Sequence, residues 1–312
     1  MTLLPLKYPT LWGWYKKMQA TFWTFEEIEA SLASDRADLK TLTEMERRML
    51  EIVLSFFAIA DSLIMENVSC NFAEEVKAPE ALLVYAFQNM MEGVHVETYN
   101  RTIELYFGPD THLLKMEHGL IPYKSVEAKK VFCEQWMDKQ QAFATRLVAF
   151  ACVEGLFFTS AFAFIFWFKK HNRLSGLTVS NELIARDEAL HAGFAVALHR
   201  ELQKENQCDA GTIERILRDA VEVEIVFVLE VFENATLDDL TSDDLIAWVK
   251  IVANKLMSDF GLSALYDIAI PDNMVYMEVG AVDLKTNFFE ERVTSYSKHE
   301  PDPIFSNDTA DF

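Results

Sequence analysis

Apolar residues recur at three- and four-residue steps through residues 43–75, "TEMERRMLEIVLSFFAIADSLIMENVSCNFAEE", and again through 79–107, "PEALLVYAFQNMMEGVHVETYNRTIELYF". Both spans are too long for strands, so the pattern predicts two long helices divided around Ala78–Pro79. Further helical patterns cover 127–149, 143–170, 180–204, 211–233 and 242–259, with the overlap at 143–149 leaving one boundary open. The stretch "TFEE" at 24–27 reads as a capping box, Thr24 capping and Glu27 reaching back, with Trp23 and Ile28 as a hydrophobic staple; a helix is expected from near Phe25. No strand alternation or hairpin signal competes with these patterns. An all-α fold is predicted.

Composition sharpens this. The chain has 312 residues, 51% hydrophobic and 12% aromatic, enough for one large core or two modest ones. Ten glycines and eight prolines fall well below the roughly 12% combined usage of average proteins, so turns are few and elements long. A net charge of −21 opposes binding to nucleic-acid phosphates and suits metal cations or a basic protein partner. Cys70, Cys133, Cys152 and Cys208 are widely spaced with no CxxC pair, and "MTLLPLKYPT" lacks a secretory signal's basic and apolar regions, which predicts a reducing, cytoplasmic setting.

Residues 147–168, "LVAFACVEGLFFTSAFAFIFWF", are long and apolar enough to imitate a membrane span, but Glu154 lies inside. A carboxylate there is costly in lipid and useful at the centre of a bundle, where a metal or hydrogen-bond donor pairs with it, so a buried helix and no membrane are expected. The last stretch, "SKHEPDPIFSNDTADF", is polar, acidic and proline-bearing, and is expected to be disordered when free.

Of seven histidines, only His95 and His191 follow a glutamate by three residues, Glu92 and Glu188. That spacing puts carboxylate and imidazole on one helical face, where both can bind one ion. Either pair alone reads first as chance spacing or as an ordinary buried hydrogen-bonded histidine. Each pair, however, is preceded by a carboxylate embedded in an apolar helix, Asp61 in "FFAIADSLIM" and Glu154 in "FACVEGLFF", at separations of 31 and 34 residues. Four carboxylates at core-like positions demand counter-charge, and two divalent ions supply it. Two Glu-x-x-His helices plus one carboxylate from each of two others is the arrangement of ferritin-like two-metal bundles. Oxygen and imidazole ligands admit iron or manganese. Tyr99 lies within about 20° of Glu92 around the helix, roughly 10 Å along it, and so faces the same site. Phe158, Phe162 and Ile184, at helical steps from Glu154 and Glu188, are available to enclose its phenol, or simply to pack the core.

These residues resemble the small, radical-generating subunit of class I ribonucleotide reductase over most of the chain, from "FWTFEEIE" at 22–29 to "NFFEERV" at 287–293. "VEGLFF", "SNELIARDEALH" and "KTNFFEERV" are most similar to its eukaryotic and large-DNA-virus branch. The resemblance implies a ferritin-like helical domain over 1–295, with an N-terminal extension, and a flexible acidic tail over 296–312. It implies that Asp61, Glu92, His95, Glu154, Glu188 and His191 bind two iron ions, or manganese or a mixed pair, activated by oxygen or a derived oxidant. Tyr99 would hold the radical, and Trp23 and Asp187, with His95, would carry it outward. Tyr296 would pass it between subunits, and Phe305 and Phe312 would anchor the tail on the large catalytic subunit. A homodimer is implied as well. Bare of that resemblance, Trp23 reads as a helix staple, Asp187 as a solvated charge beside Arg186, and the tail as plain disorder. An iron store or ferroxidase, a two-metal oxidase acting on an apolar ligand, and an inert partner of an active paralogue are the rival functions.

Overall fold

The computed structural model describes residues 2–109, 111, 123–233 and 237–277, with the side chains of residues 59, 61–63 and 66 outside that set. The order is α1 Pro9–Ala20, α2 Glu29–Ser34, α3 Arg36–Leu39, α4 Glu44–Asn67, α5 Pro79–Phe107, α6 Lys124–Trp136, α7 Phe143–Leu156, α8 Thr159–Lys170, α9 Ser175–Glu201, α10 Ala210–Val231 and α11 Ser242–Asp259. No strand occurs among the described residues. The helices expected over 43–75, 79–107, 180–204, 211–233 and 242–259 correspond to α4, α5, α9, α10 and α11. The tail from 296, with Tyr296, Phe305 and Phe312, lies outside the described residues.

α7 and α8 form the innermost layer, apolar on every side. Phe150, Phe157, Phe158, Phe164, Phe166 and Phe168 are all buried, each burial contributing roughly 2–3 kcal/mol. α7 packs chiefly on α9, with α10 and α11 behind it, while α5 lies against α4, α1 and α9. The membrane-length segment is thus inside the protein.

Three details depart from the sequence pattern. Residues 25–27 form only a short 3₁₀ turn, Thr24 N donating to Glu27 Oε1 at 2.9 Å, and the helix proper starts at Glu29. The pattern over 127–149 is two helices, α6 and α7, separated at 137–142. The 143–170 segment breaks at Phe157–Phe158, where Phe157 N reaches back five residues to Cys152 O at 3.2 Å. No proline marks that break; a buried ion pair holds it. Lys129 Nζ donates to Phe157 O at 2.6 Å and sits 2.9 Å from Glu224 Oε2, while Glu224 Oε1 accepts from the Ser160 backbone N at 3.3 Å and from its hydroxyl. The cation satisfies the end of α7 and the carboxylate the start of α8. α1 is an addition to the expected helices, although Pro9 opens it and Leu11, Trp14, Tyr15 and Met18 recur at helical steps.

α9 carries two of the candidate metal ligands, Glu188 and His191, and is held at its start and again in its second half. Asp35 accepts from Gly176 N and Leu177 N, each at 2.9 Å, and from the Tyr106 hydroxyl at 2.5 Å, capping α9 from another part of the chain. α2 crosses so closely that a Cβ on Gly176 would lie 2.3 Å from Ser31 O. Further along, the Trp14 ring covers Gly193, where a Cβ would meet it at 2.5 Å.

Candidate metal centre

Three helices converge on one buried point: α5 brings Glu92 and His95, α7 brings Glu154, and α9 brings Glu188 and His191. Asp61, expected as a further ligand, is on α4, and its side chain lies outside the described ones. Glu92 and His95 have no exposed surface, and Glu154, Glu188 and His191 have 1% each. Glu92, Glu154, Glu188 and His191 offer ligand atoms all within 4.8 Å of one another. His191 Nδ1 lies 3.1 Å from both Glu92 Oε1 and Glu188 Oε2, and 3.8 Å from Glu154 Oε2. His95 Nδ1 lies 3.0 Å from Glu188 Oε1 and 3.3 Å from Glu92 Oε2.

So many acidic groups perturb one another. Burial raises the Glu154 carboxyl well above the usual range, and Glu188 and Glu92 beside it push the same way. Burial alone would lower both imidazoles, but Asp187 accepting from His95, with the Glu188 and Glu92 carboxylates close beside it, and the charges of Glu92 and Glu188 beside His191, raise them well above their ordinary value. Glu188 is pulled down, since the attraction of His191 and His95 outweighs its burial. Glu92 Oε2, Glu154 Oε2 and Glu188 Oε1 are buried without hydrogen-bond geometry to any donor, their imidazole neighbours being near but poorly aligned. Buried carboxylate oxygens left over around facing Nδ1 atoms are the donor set a pair of divalent transition ions requires, so the residues fit such a centre.

Tyr99 sits two turns beyond Glu92 on α5, 3% exposed. Its ring stacks on Phe57 with centroids 4.6 Å apart, and Phe57 is in turn stacked or tilted against Phe158 at 5.7 Å and Phe162 at 5.3 Å. Ile184 is fully buried on α9. Phe57, which spacing does not single out, is thus the ring between the phenol and the two anticipated phenylalanines.

On the other side, Trp23 Nε1 donates to Asp187 Oδ2 at 2.7 Å, and His95 Nε2 reaches the same oxygen at 3.3 Å. The indole and imidazole planes stack at 5.9 Å. Arg186 holds the other oxygen at 3.2 Å and ties it to Thr21 O at 2.6 Å. Asp187 is therefore buried, at 2% exposure, rather than solvated. Trp23 is buried as well, and its indole N–H is spent on Asp187.

Gln88 enters the site without any sign in the sequence pattern. It is fully buried one turn before Glu92 and donates through Nε2 to Glu154 Oε1 at 2.8 Å and Glu92 Oε1 at 3.3 Å. A cavity of about 690 Å³, lined mostly by apolar side chains including Phe158, Phe162, Phe166 and Trp248, borders Glu154 and Glu188.

The profile of the family "Ribonucleotide reductase, small chain" matches residues 1–273. The sequence is 39% identical over 297 residues to the ribonucleoside-diphosphate reductase small chain of Plasmodium falciparum (isolate Dd2), covering 95% of this chain and 83% of that one. It is 39% identical over 296 residues to the small chain of the same enzyme from Nicotiana tabacum, with 95% and 88% covered. Among solved structures, the Rnr4 homodimer of Saccharomyces cerevisiae superposes with a TM-score of 0.79 at 29% identity, covering 87% of this chain and 85% of that one. The dimanganese(II)-NrdF of Streptococcus sanguinis, at 17% identity, shares the fold with a TM-score of 0.75 over 88% of this chain and 98% of its own. With three helices gathering carboxylates and imidazoles around one buried point, and with matches of this length, the chain belongs to the ribonucleotide reductase small-chain family.

Proposed function

We propose that this chain, as the small subunit of a ribonucleoside-diphosphate reductase, binds two transition ions through Asp61, Glu92, His95, Glu154, Glu188 and His191 and stores an oxidising equivalent on Tyr99 for a large catalytic subunit. The observation that carries the reading is the gathering of Glu92, Glu154, Glu188 and His191 ligand atoms within 4.8 Å of one another in the dry core. Bound there, the ions supply oxidising power through oxygen or an oxygen-derived oxidant, and iron, manganese or a mixed pair all suit these donors.

The chain's own residues do the rest. Phe57 covers the Tyr99 ring and is backed by Phe158 and Phe162, an apolar stack that keeps water and reductants from an oxidised phenol. Asp187 holds the His95 Nε2–H and the Trp23 indole N–H on one oxygen, giving a continuous hydrogen-bonded path from the centre toward the protein's edge. Tyr296 continues that path, and the acidic tail with Phe305 and Phe312 docks on the large subunit, ordering as it binds. Assembly as a homodimer and a cytoplasmic setting complete the proposal; the four cysteines form no disulfide, in keeping with reducing surroundings.

The cavity beside Glu154 and Glu188 has the apolar lining that a two-metal oxidase would need, but matches of this length to reductase small chains do not favour that rival. Tyr99→Phe tests the proposed role of the phenol. In the reductase reading this variant keeps its metal, about two ions per chain, loses the tyrosyl signal in electron paramagnetic resonance, and leaves the holoenzyme inactive. Unchanged ribonucleotide reduction rejects the role of Tyr99.

A further inference from the structure

We propose that Gln88 is a positioning residue for this centre: its amide joins Glu154 to Glu92 and fixes where the Glu154 carboxylate stands. The inference rests on the metal reading given above. α5 and α7 both pack on α9 rather than closely on one another, so helix packing alone sets the Glu92–Glu154 spacing only indirectly. The Gln88 side chain spans that gap. Nε2 donates to Glu154 Oε1 on α7 at 2.8 Å and to Glu92 Oε1 on its own helix at 3.3 Å.

The amide presents its nitrogen to both carboxylates, the orientation that suits them once metal-bound, because a metal-bound carboxylate only accepts. A neutral amide suits the place. It offers donors without the positive charge of lysine or arginine, which would repel incoming cations.

Glu154 is also a carboxylate with room to move, since it borders the 690 Å³ cavity. Without the amide its side chain is free to turn into that space. Keeping glutamine there costs stability, because Gln88 Oε1 is buried with no hydrogen-bond partner. A leucine would fill similar volume without that orphaned oxygen, so packing gives no reason for the amide and positioning does.

The test loads wild-type protein, Gln88→Leu and Gln88→Met with Mn(II) alone, measuring affinity by competition with a chelator and recording the Mn(II) electron paramagnetic resonance spectrum. Circular dichroism and melting of the chelated proteins control for folding. We expect both variants to fold as well as wild type, to bind Mn(II) about tenfold or more weakly, and to give an altered spectrum. Should Gln88→Leu misfold, Gln88→Met, which is unbranched and similar in length, carries the comparison. A folded variant with Mn(II) affinity within about twofold of wild type and the same spectrum overturns the positioning role. Wild-type protein that takes up no Mn(II) or iron instead overturns the metal reading itself, a result visible before any variant is compared.

Discussion

The indole of Trp23 and the carboxylate of Asp187, 164 positions apart in the chain, share a buried hydrogen bond of 2.7 Å, and the accepting oxygen is the one that His95 Nε2 approaches at 3.3 Å. Removing the indole N–H while keeping an aromatic ring interrupts this path without touching a proposed metal ligand. Trp23→Phe is therefore expected to retain metal and the Tyr99 radical, while turnover with the large subunit falls roughly 100-fold or more. Radical yield and turnover, measured on one preparation, check this. Loss of the radical itself in Trp23→Phe would place the indole in the assembly of the centre rather than in transfer from it.

Metal removal has a pH signature. In the metal-free fold the Glu154 carboxyl and the His95 and His191 imidazoles all lie above their ordinary values, so the folded state holds protons there that the unfolded chain has released. Their contribution to stability is present at low pH and is lost as pH rises through the raised values. Glu188, shifted the other way, contributes stability that is fully present above the ordinary carboxylate range and is lost only as pH falls below it. Metal ions displace those protons, so metal affinity rises with pH over the same window. The melting-temperature gap between metal-loaded and chelated protein is expected to widen from about pH 5 to about pH 8. A gap independent of pH contradicts the proton–metal exchange.

Much of the centre was legible because its parts are local. Glu92 with His95, and Glu188 with His191, announce themselves by a spacing that any helix converts into a shared face, and Glu154 by being a charge among apolar neighbours. Gln88 gave no such signal: an uncharged amide on an apolar helix breaks no rule of burial, and only the approach of α7 gives it a task. Phe57 was hidden for a related reason, since stacking on Tyr99 joins α4 to α5 and leaves no trace in either pattern. Trp23 and Asp187 took their roles from family resemblance, because a contact across 164 residues has no periodicity. The break between α7 and α8 was unreadable for a similar cause: Lys129 and Glu224, which stabilise it, come from α6 and α10.

That buried ion pair makes an asymmetric prediction. Burial pushes the Lys129 ammonium down to about 8, partly opposed by Glu224, and raises Glu224 despite Lys129 and Ser160, so each group tolerates its site only because of the other. Phe56 and Phe227 lie 3.6 and 3.9 Å from the ammonium by ring centroid and complete its enclosure. Lys129→Met alone leaves a buried carboxylate without its cation and is expected to cost about 3–5 kcal/mol in denaturant unfolding. Lys129→Met combined with Glu224→Met removes both charges and is expected to recover most of that loss. A double variant as unstable as the sum of the singles would mean that the pair's hydrogen bonds to Phe157 O and Ser160, rather than charge balance, hold the break.

Asp35 supplies the last test, because it fixes the start of the helix bearing Glu188 and His191. Its carboxylate accepts two backbone N–H groups of α9 and the Tyr106 hydroxyl, all in a buried setting. Burial raises its pKa, and the three donors offset that only in part, so the cap is costly to hold as well as valuable. Asp35→Ala leaves three buried donors unsatisfied and is expected to destabilise the fold by about 3 kcal/mol, whereas Tyr106→Phe, losing one, is expected to cost about 1 kcal/mol. Because the cap lies about 18 Å along α9 from Glu188, at 1.5 Å per residue, the damage should be mechanical rather than chemical. Folded Asp35→Ala protein is therefore expected to bind its full complement of metal while melting early, and normal melting in that variant would show that α9 is held in place by its packing against α2 and α7 alone.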